Sequence, residues 1–213
     1  LPMSPPPELT LWGAGTSRTL RVHWMIAEIG LDAAIEPIGP RTGETQTREY
    51  QSVNPKAKIP ALTHGDRHYS ESFAILRYLR RTFPLIPFGQ EQKTPEAKAH
   101  YDELASLILM ELDATSLYVI RRHADLASIY GEAPQAVSSA RNYFSNQLSR
   151  GIPGETLGEF VWGVHFSELD IIFTTTLDWA LAVNIDLSVP YQDYLARMHS
   201  RAGYRQALIT NRL

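Results

Sequence analysis

Three short stretches of this chain carry residue types at a spacing that could hold and activate a peptide-like thiol. In Lys58-Ile59-Pro60, a proline stands between an irregular segment and a short apolar run. A cis bond before Pro60 would turn the N–H and C=O of Ile59 outward, to pair with the central residue of an extended tripeptide as in strand addition. A trans proline at a strand start is the simpler alternative. In Glu71-Ser72, an acid and a hydroxyl open an apolar helical run. A helix N-terminus offers free N–H groups and partial positive charge, which suit a carboxylate. Ser72 with those N–H groups would take the carboxylate of an amino-acid end, and Glu71 its ammonium. A plain helix start, with Ser72 as cap and Glu71 in solvent, is the alternative.

The third stretch is Thr16-Ser17-Arg18-Thr19. A hydroxyl at the positive end of the first helix would stabilise a bound thiolate. A thiol of ordinary pKa, about 8.5, would then be substantially ionised at neutral pH. The hydroxyl would be catalytic without reacting itself. Thr16, Ser17 and Thr19 could each supply it, and a simple turn with an N-cap is the structural alternative. Tyrosine, the other residue able to donate from the strand end, is replaced there by Trp12. The carboxylate, ammonium and extended backbone that these stretches would accept together describe a γ-glutamyl peptide thiol, glutathione.

Composition narrows the chemistry. The chain has no cysteine among its 213 residues, so any thiol that reacts must arrive with the ligand. A net charge of −3 with mixed signs leaves no basic surface for nucleic acid. No apolar run approaches the ~20 residues of a membrane span, and no secretory leader opens the sequence. A cytoplasmic location is therefore expected. The seven histidines are scattered without metal-ligand spacing, so no metal is expected. Gly13 to Gly15 is a partial glycine motif without the phosphate-loop lysine, which argues against nucleotide binding.

The elements that must position these groups are read from periodicity. Leu1 to Pro7 is proline-rich and extended. Glu8 to Trp12 alternates as a strand. A helix follows from Arg18, with Val22, Met25, Ile26 and Ile29 on one face and Gly30 at its end. Ala33 to Ile38 is a second strand, and residues 39–52 are irregular. Ile59 to Thr63 and Arg67 to Ser70 form a hairpin around His64-Gly65-Asp66. Phe73, Leu76, Leu79 and Phe83 mark a helix that Pro84 and Pro87 stop. The expected fold class is an α/β domain in the order βαβ-ββα over 8–84, a linker over 85–94, and an all-α domain over 95–213. In the second domain helices are expected around Tyr101 to Leu112, at Pro134 to Ser149, at Ser167 to Val183, at Pro190 to Ser200, and near the C-terminus. Ser167 and Asp170 have N-cap and N3 spacing, a capping box ahead of an apolar run.

Four of these segments together resemble the cytosolic glutathione transferase family: SRTLRVHWMIAEIG, NPKAKIPAL, ESFAILRYL and FSELDIIF, in this order. The resemblance runs from about Leu9 to Leu208. It implies a thioredoxin-like N-terminal domain, an all-helical C-terminal domain and a homodimer. It implies glutathione as co-substrate, held by Ile59, Pro60, Glu71 and Ser72 with Lys58 near its glycine end. Ser17 falls where serine-type members of bacterial and fungal kind place the activating hydroxyl. The acceptor site is expected between the loop near Trp12 and the first helix of the second domain, with Leu107, Met110, Glu111 and Tyr118 as candidate linings. Two departures stand out. Ala57 replaces the usual glycine, and the cysteine of omega-like, beta-like and isomerase members is missing. The expected activity is attack of the glutathione thiolate on a small hydrophobic electrophile. The alternatives are a glutathione-dependent peroxidase or disulfide reductase, and a non-catalytic binding module on the same fold.

Overall fold

The computed structural model describes residues 9–83, 88 and 92–213. The proline-rich start, Glu8, Pro84, Pro87 and part of the expected linker lie outside these residues. Two compact units emerge, one within Leu1–Ile86 together with His199–Leu213, the other within Pro87–Met198.

The first unit is built on a four-stranded sheet. Its elements are β1 (Leu9–Trp12), α1 (Ser17–Ile29), β2 (Ala34–Glu36), α2 (Arg48–Val53), β3 (Ala61–His64), β4 (Arg67–Ser70) and α3 (Ser72–Thr82). The strand order is β2-β1-β3-β4, with β1 parallel to β2 and antiparallel to β3, and β3 antiparallel to β4. This is the thioredoxin-like arrangement. Register puts Trp12 opposite Ala61 and Ala61 opposite Ser70. The C-terminal end of β1, the start of β3 and the end of β4 therefore lie side by side. The β1–α1 loop, the segment before Pro60 and the start of α3 all leave the sheet from that one edge.

Each element has a local cause. Thr16 caps α1, accepting the Thr19 N–H at 3.0 Å while the Thr19 hydroxyl accepts the Thr16 N–H at 3.0 Å. Gly30 ends the helix in the left-handed region at φ 67°. Every residue from Thr19 to Ile26 is buried, more than the single apolar face expected, because α1 packs against both α3 and α10 (Ala202–Thr210). Trp24 meets Tyr204 of α10 edge to face, with ring centroids 4.9 Å apart. On α3 the buried apolar residues are Ile75, Leu76 and Leu79, with Phe73 and Phe83 half-buried. The irregular stretch after β2 contains a 3-10 turn at Glu44–Gln46 and then α2, which Thr47 caps.

The second unit is helical, and among the described residues no strand follows Ser70. Helix α4 (Pro95–Ser106), capped by Thr94 with Pro95 at its first position, runs on through Leu107–Leu117, α5 (Tyr118–Ile120) and Arg121–Asp125. Over Leu107–Leu117 and Arg121–Asp125 the helix widens to i→i+5 bonding, as in Leu126 N–H to Arg121 C=O at 2.8 Å. Then come α6 (Ala127–Tyr130), α7 (Pro134–Gly151), α8 (Glu168–Ala182) and α9 (Val189–His199). Helix α8 is the axis of this unit, with Glu168 to Leu177 all buried. Its capping box forms as the spacing requires: Ser167 N–H donates to Asp170 Oδ2 at 2.8 Å, and Leu169 N–H to Ser167 Oγ at 3.2 Å.

The second domain was expected to run over 95–213. Residues 199–213 instead pack with the first unit, where α10 lies along α1. The apolar spacing of that segment shows a helix, but nothing in it says which unit receives the buried face. Among the described residues no helix is long and apolar enough to cross a membrane, and no cluster of metal-binding side chains occurs.

Candidate functional site

The candidate residues of the first unit gather at the sheet edge described above. After β1 the chain turns through Gly13 at φ 111°, a conformation that L side chains rarely adopt. The turn brings Gly13 so near Ile59 that a Cβ placed there would lie 2.6 Å from the Ile59 Cβ. Glycine at position 13 thus lets the β1–α1 loop and the segment before β3 touch.

Within that loop the three hydroxyls have different environments. Thr19 is fully buried, and its Oγ1 lies 2.9 Å from the Thr16 carbonyl and 2.7 Å from Asn211 Oδ1. Thr16 Oγ1 is the helix cap. Ser17, the first residue of α1, is half-buried, and among the described residues its hydroxyl has no hydrogen-bond partner. Two of the three candidate donors are therefore engaged in holding the loop, and Ser17 is the one left available.

The Ile59–Pro60 peptide bond is cis. The peptide ahead of it is held from α2: Tyr50 Oη donates to the Lys58 carbonyl at 2.6 Å, and Asn54 Nδ2 donates to the same oxygen at 2.7 Å. Asn54 also accepts the Lys56 N–H at 3.2 Å through its side chain and the Ala57 N–H at 2.9 Å through its backbone. Burial pushes the Tyr50 phenol up to about 12, so it stays a donor throughout the neutral range. Ala57 sits at φ 53°, in the left-handed region. This accounts for the expectation of glycine here, because a Cβ in that region costs about 1–2 kcal/mol.

At the start of α3, Glu71 occupies the N-cap position at φ 71° and Ser72 is the first helical residue. The simpler expectation made Ser72 the cap. In the structure no side chain caps this helix. Its first N–H groups are thus not satisfied by a capping side chain, as an anion site requires. Ser72 is buried and receives Arg21 Nη1 of α1 at 3.4 Å, with Arg21 itself 1% exposed. Glu71 is exposed and pairs with Lys56 Nζ. A guanidinium beneath the hydroxyl and a carboxylate beside it form a bipolar pair, suited to an amino-acid end that carries both charges.

Trp12 is half-buried, with Nε1 3.4 Å from Thr63 Oγ1 and its ring 5.9 Å from that of Tyr50. In the second unit Met110 is 61% exposed and Tyr118 half-buried, while Glu111 accepts the Tyr143 hydroxyl at 2.6 Å.

Reasoning from sequence missed the support beneath these groups. Asn54 stood inside a recognised segment, but its role depends on folding back onto Lys58. Tyr50 had no signal beyond being an aromatic in a polar run. A basic residue among the apolar positions of α1 was the available hint for Arg21.

Residues 7–81 match the glutathione S-transferase N-terminal domain. Over 94% of its length the chain is 22% identical to a probable maleylacetoacetate isomerase of Vibrio cholerae, covering 94% of that protein. Across 72 residues, about a third of each chain, it is 38% identical to a zeta-class glutathione S-transferase of Euphorbia esula. A crystal structure of a glutathione transferase family member from Pseudomonas fluorescens, with two glutathione bound, shares the fold at TM-score 0.79. Its identity is 22%, with 97% of this chain and 95% of that one covered.

Proposed function

We propose that the chain is a member of the glutathione S-transferase family, whose N-terminal domain residues 7–81 match, and that its first unit binds glutathione and lowers the pKa of the thiol for attack on a small hydrophobic electrophile. One observation carries this reading: Ser17 offers a hydroxyl at the N-terminus of α1 that has no partner among the described residues, in a loop whose other hydroxyls are engaged. Ile59 would pair with the backbone of the cysteinyl residue, Lys58 would reach the glycine end, and Pro60 would fix the turn between them. Ser72 and the uncapped start of α3 would take the γ-glutamyl carboxylate, with Glu71 on the ammonium. The Lys56 side chain that Glu71 now holds would be displaced. Trp12 is the proposed apolar contact of the electrophile in the first unit. The proposed setting is the cytoplasm, where glutathione is kept as a thiol, with the protein as a homodimer.

Mechanistically, the thiolate is stabilised by the Ser17 O–H and the positive end of α1. Its sulfur then attacks the electrophilic carbon, and the leaving group departs with the bonding electrons. The protein forms no covalent bond, in keeping with the absence of cysteine. A peroxidase or disulfide reductase would use the same thiolate against oxygen or sulfur, with a second glutathione resolving the product.

The test is a titration of bound glutathione across pH, followed by thiolate absorbance. The wild type should hold the thiol pKa well below the free value of about 8.5. Ser17→Ala should return it towards that value and lower turnover in proportion. No binding of glutathione would end the reading, and an unchanged Ser17→Ala profile would remove Ser17 from it. Turnover compared on an aryl halide, a hydroperoxide and a small disulfide separates transfer from reduction.

A further inference from the structure

The β1–α1 loop is held by a segment almost two hundred residues away in sequence. After α10 the chain crosses this loop and attaches to it at four points. Asn211 accepts the Gly15 N–H twice, through its backbone oxygen at 2.8 Å and through Oδ1 at 3.2 Å. Its Oδ1 also accepts the Thr19 hydroxyl at 2.7 Å, and its Nδ2 donates to the Thr16 carbonyl at 3.1 Å. Thr210 Oγ1 lies 3.0 Å from His23 Nδ1, and His23 Nε2 lies 3.0 Å from the Gly13 carbonyl. A carbonyl can only accept, so Nε2 carries the proton, and Nδ1 receives the Thr210 hydroxyl. Leu213 covers Gly15 so closely that a Cβ there would lie 2.5 Å from its Cδ1. Gly13, Gly15, Thr16 and Thr19 are all tied in this way, and Ser17 is the loop hydroxyl without a bond among the described residues.

We infer that Asn211 is a positioning residue for the activating hydroxyl: it closes the β1–α1 loop around Ser17 and keeps the Ser17 O–H aimed at the ligand thiol. This rests on the glutathione reading above. The physical reason is stoichiometric. An asparagine amide supplies an acceptor and a donor at once, so one side chain can satisfy the Gly15 N–H, the Thr19 hydroxyl and the Thr16 carbonyl together. Without its side chain, the Thr16 carbonyl and the Thr19 hydroxyl lose that partner, and of these bonds only the one from the Gly15 N–H to the Asn211 backbone oxygen still holds the loop around Ser17. Small errors in aim at a reacting group cost far more rate than binding. Asn211 therefore acts on the thiol pKa and on kcat, while glutathione is held by residues it does not touch.

The experiment compares wild type, Asn211→Ala and Arg201→Ala. Arg201, at the start of α10, pairs with Glu28 on the far end of α1 from the loop, so its removal loosens the same helix pair without touching the loop. Asn211→Ala should raise the bound thiol pKa by about one unit and lower kcat about tenfold near pH 6.5, with KM for glutathione changed less than about twofold. Arg201→Ala should keep the wild-type pKa even where its stability falls as far. Leu213→Ala leaves the hydrogen bonds in place and serves as the milder variant. It should move the pKa in the same direction by less, and it decides the matter if Asn211→Ala does not fold. An unaltered pKa and kcat in Asn211→Ala overturns the inference. So does a parallel loss in Arg201→Ala, which would make the effect one of general stability. If wild type itself leaves the thiol at its free pKa, the glutathione reading fails first and the inference falls with it.

Discussion

Asp170→Ala should be among the most destabilising single changes in the second unit, and its cost should depend on pH in a defined direction. The side chain is fully buried at the head of α8. Its Oδ1 accepts the Val161 N–H and the Tyr194 hydroxyl, both at 2.8 Å, and its Oδ2 accepts the Ser167 N–H at 2.8 Å. Alanine strands these three donors. Each costs about 1–3 kcal/mol when buried without a partner, less where water enters the vacated space, and the lost cap adds about 1 kcal/mol. The expected loss is about 4 kcal/mol. Burial pushes the Asp170 carboxyl up from 3.8 to about 6, against the hydrogen bonds that pull it down. Its folded pKa thus lies above its unfolded one, so between these values the folded state binds more protons. The contribution is full below about pH 4 and is lost as pH rises through 6, a change of about 3 kcal/mol. Urea unfolding of wild type and Asp170→Ala at pH 7.5, 6 and 4.5 measures this. Groups that titrate in both proteins cancel in the difference, which should widen as pH falls. A loss below about 1 kcal/mol, or a difference that narrows on acidification, would refute the reasoning.

Two further outcomes follow from the first unit. Gly13→Ala should destabilise by about 2–3 kcal/mol and weaken glutathione binding, because its Cβ would meet the Ile59 side chain at a positive φ; unfolding midpoints and calorimetric binding check both effects. Burial lowers the His23 pKa below 6.5, so the wild type should lose stability as pH falls through that value, since the unfolded chain then binds the extra proton. His23→Gln should show a flatter profile over the same range, measured by thermal unfolding, and equal slopes would remove His23 from the linkage.

Local patterns in the sequence determined most of the elements. Gly30 ends α1, Gly65-Asp66 turns the hairpin, and Ser167 with Asp170 opens α8; each works through bonds within a few residues, so each is visible in a short window. The same holds for the candidate sites at Ser17, Ile59–Pro60 and Glu71–Ser72, which stand at or next to element ends. Tertiary structure alone decided what surrounds them. Asn211 meets Thr19 across 192 positions, Arg21 meets Ser72 across 51, and α10 joins the first unit rather than the helices before it. These contacts satisfy buried polar groups. A polar side chain's partner is set by which elements the sheet brings to one edge, and no periodicity along the chain encodes that choice. The N-terminus of α3 shows the same division. The sequence marks Glu71-Ser72 as a helix start, but only the folded chain puts Glu71 at the cap position with Ser72 inside the helix, leaving the first N–H groups without a capping side chain.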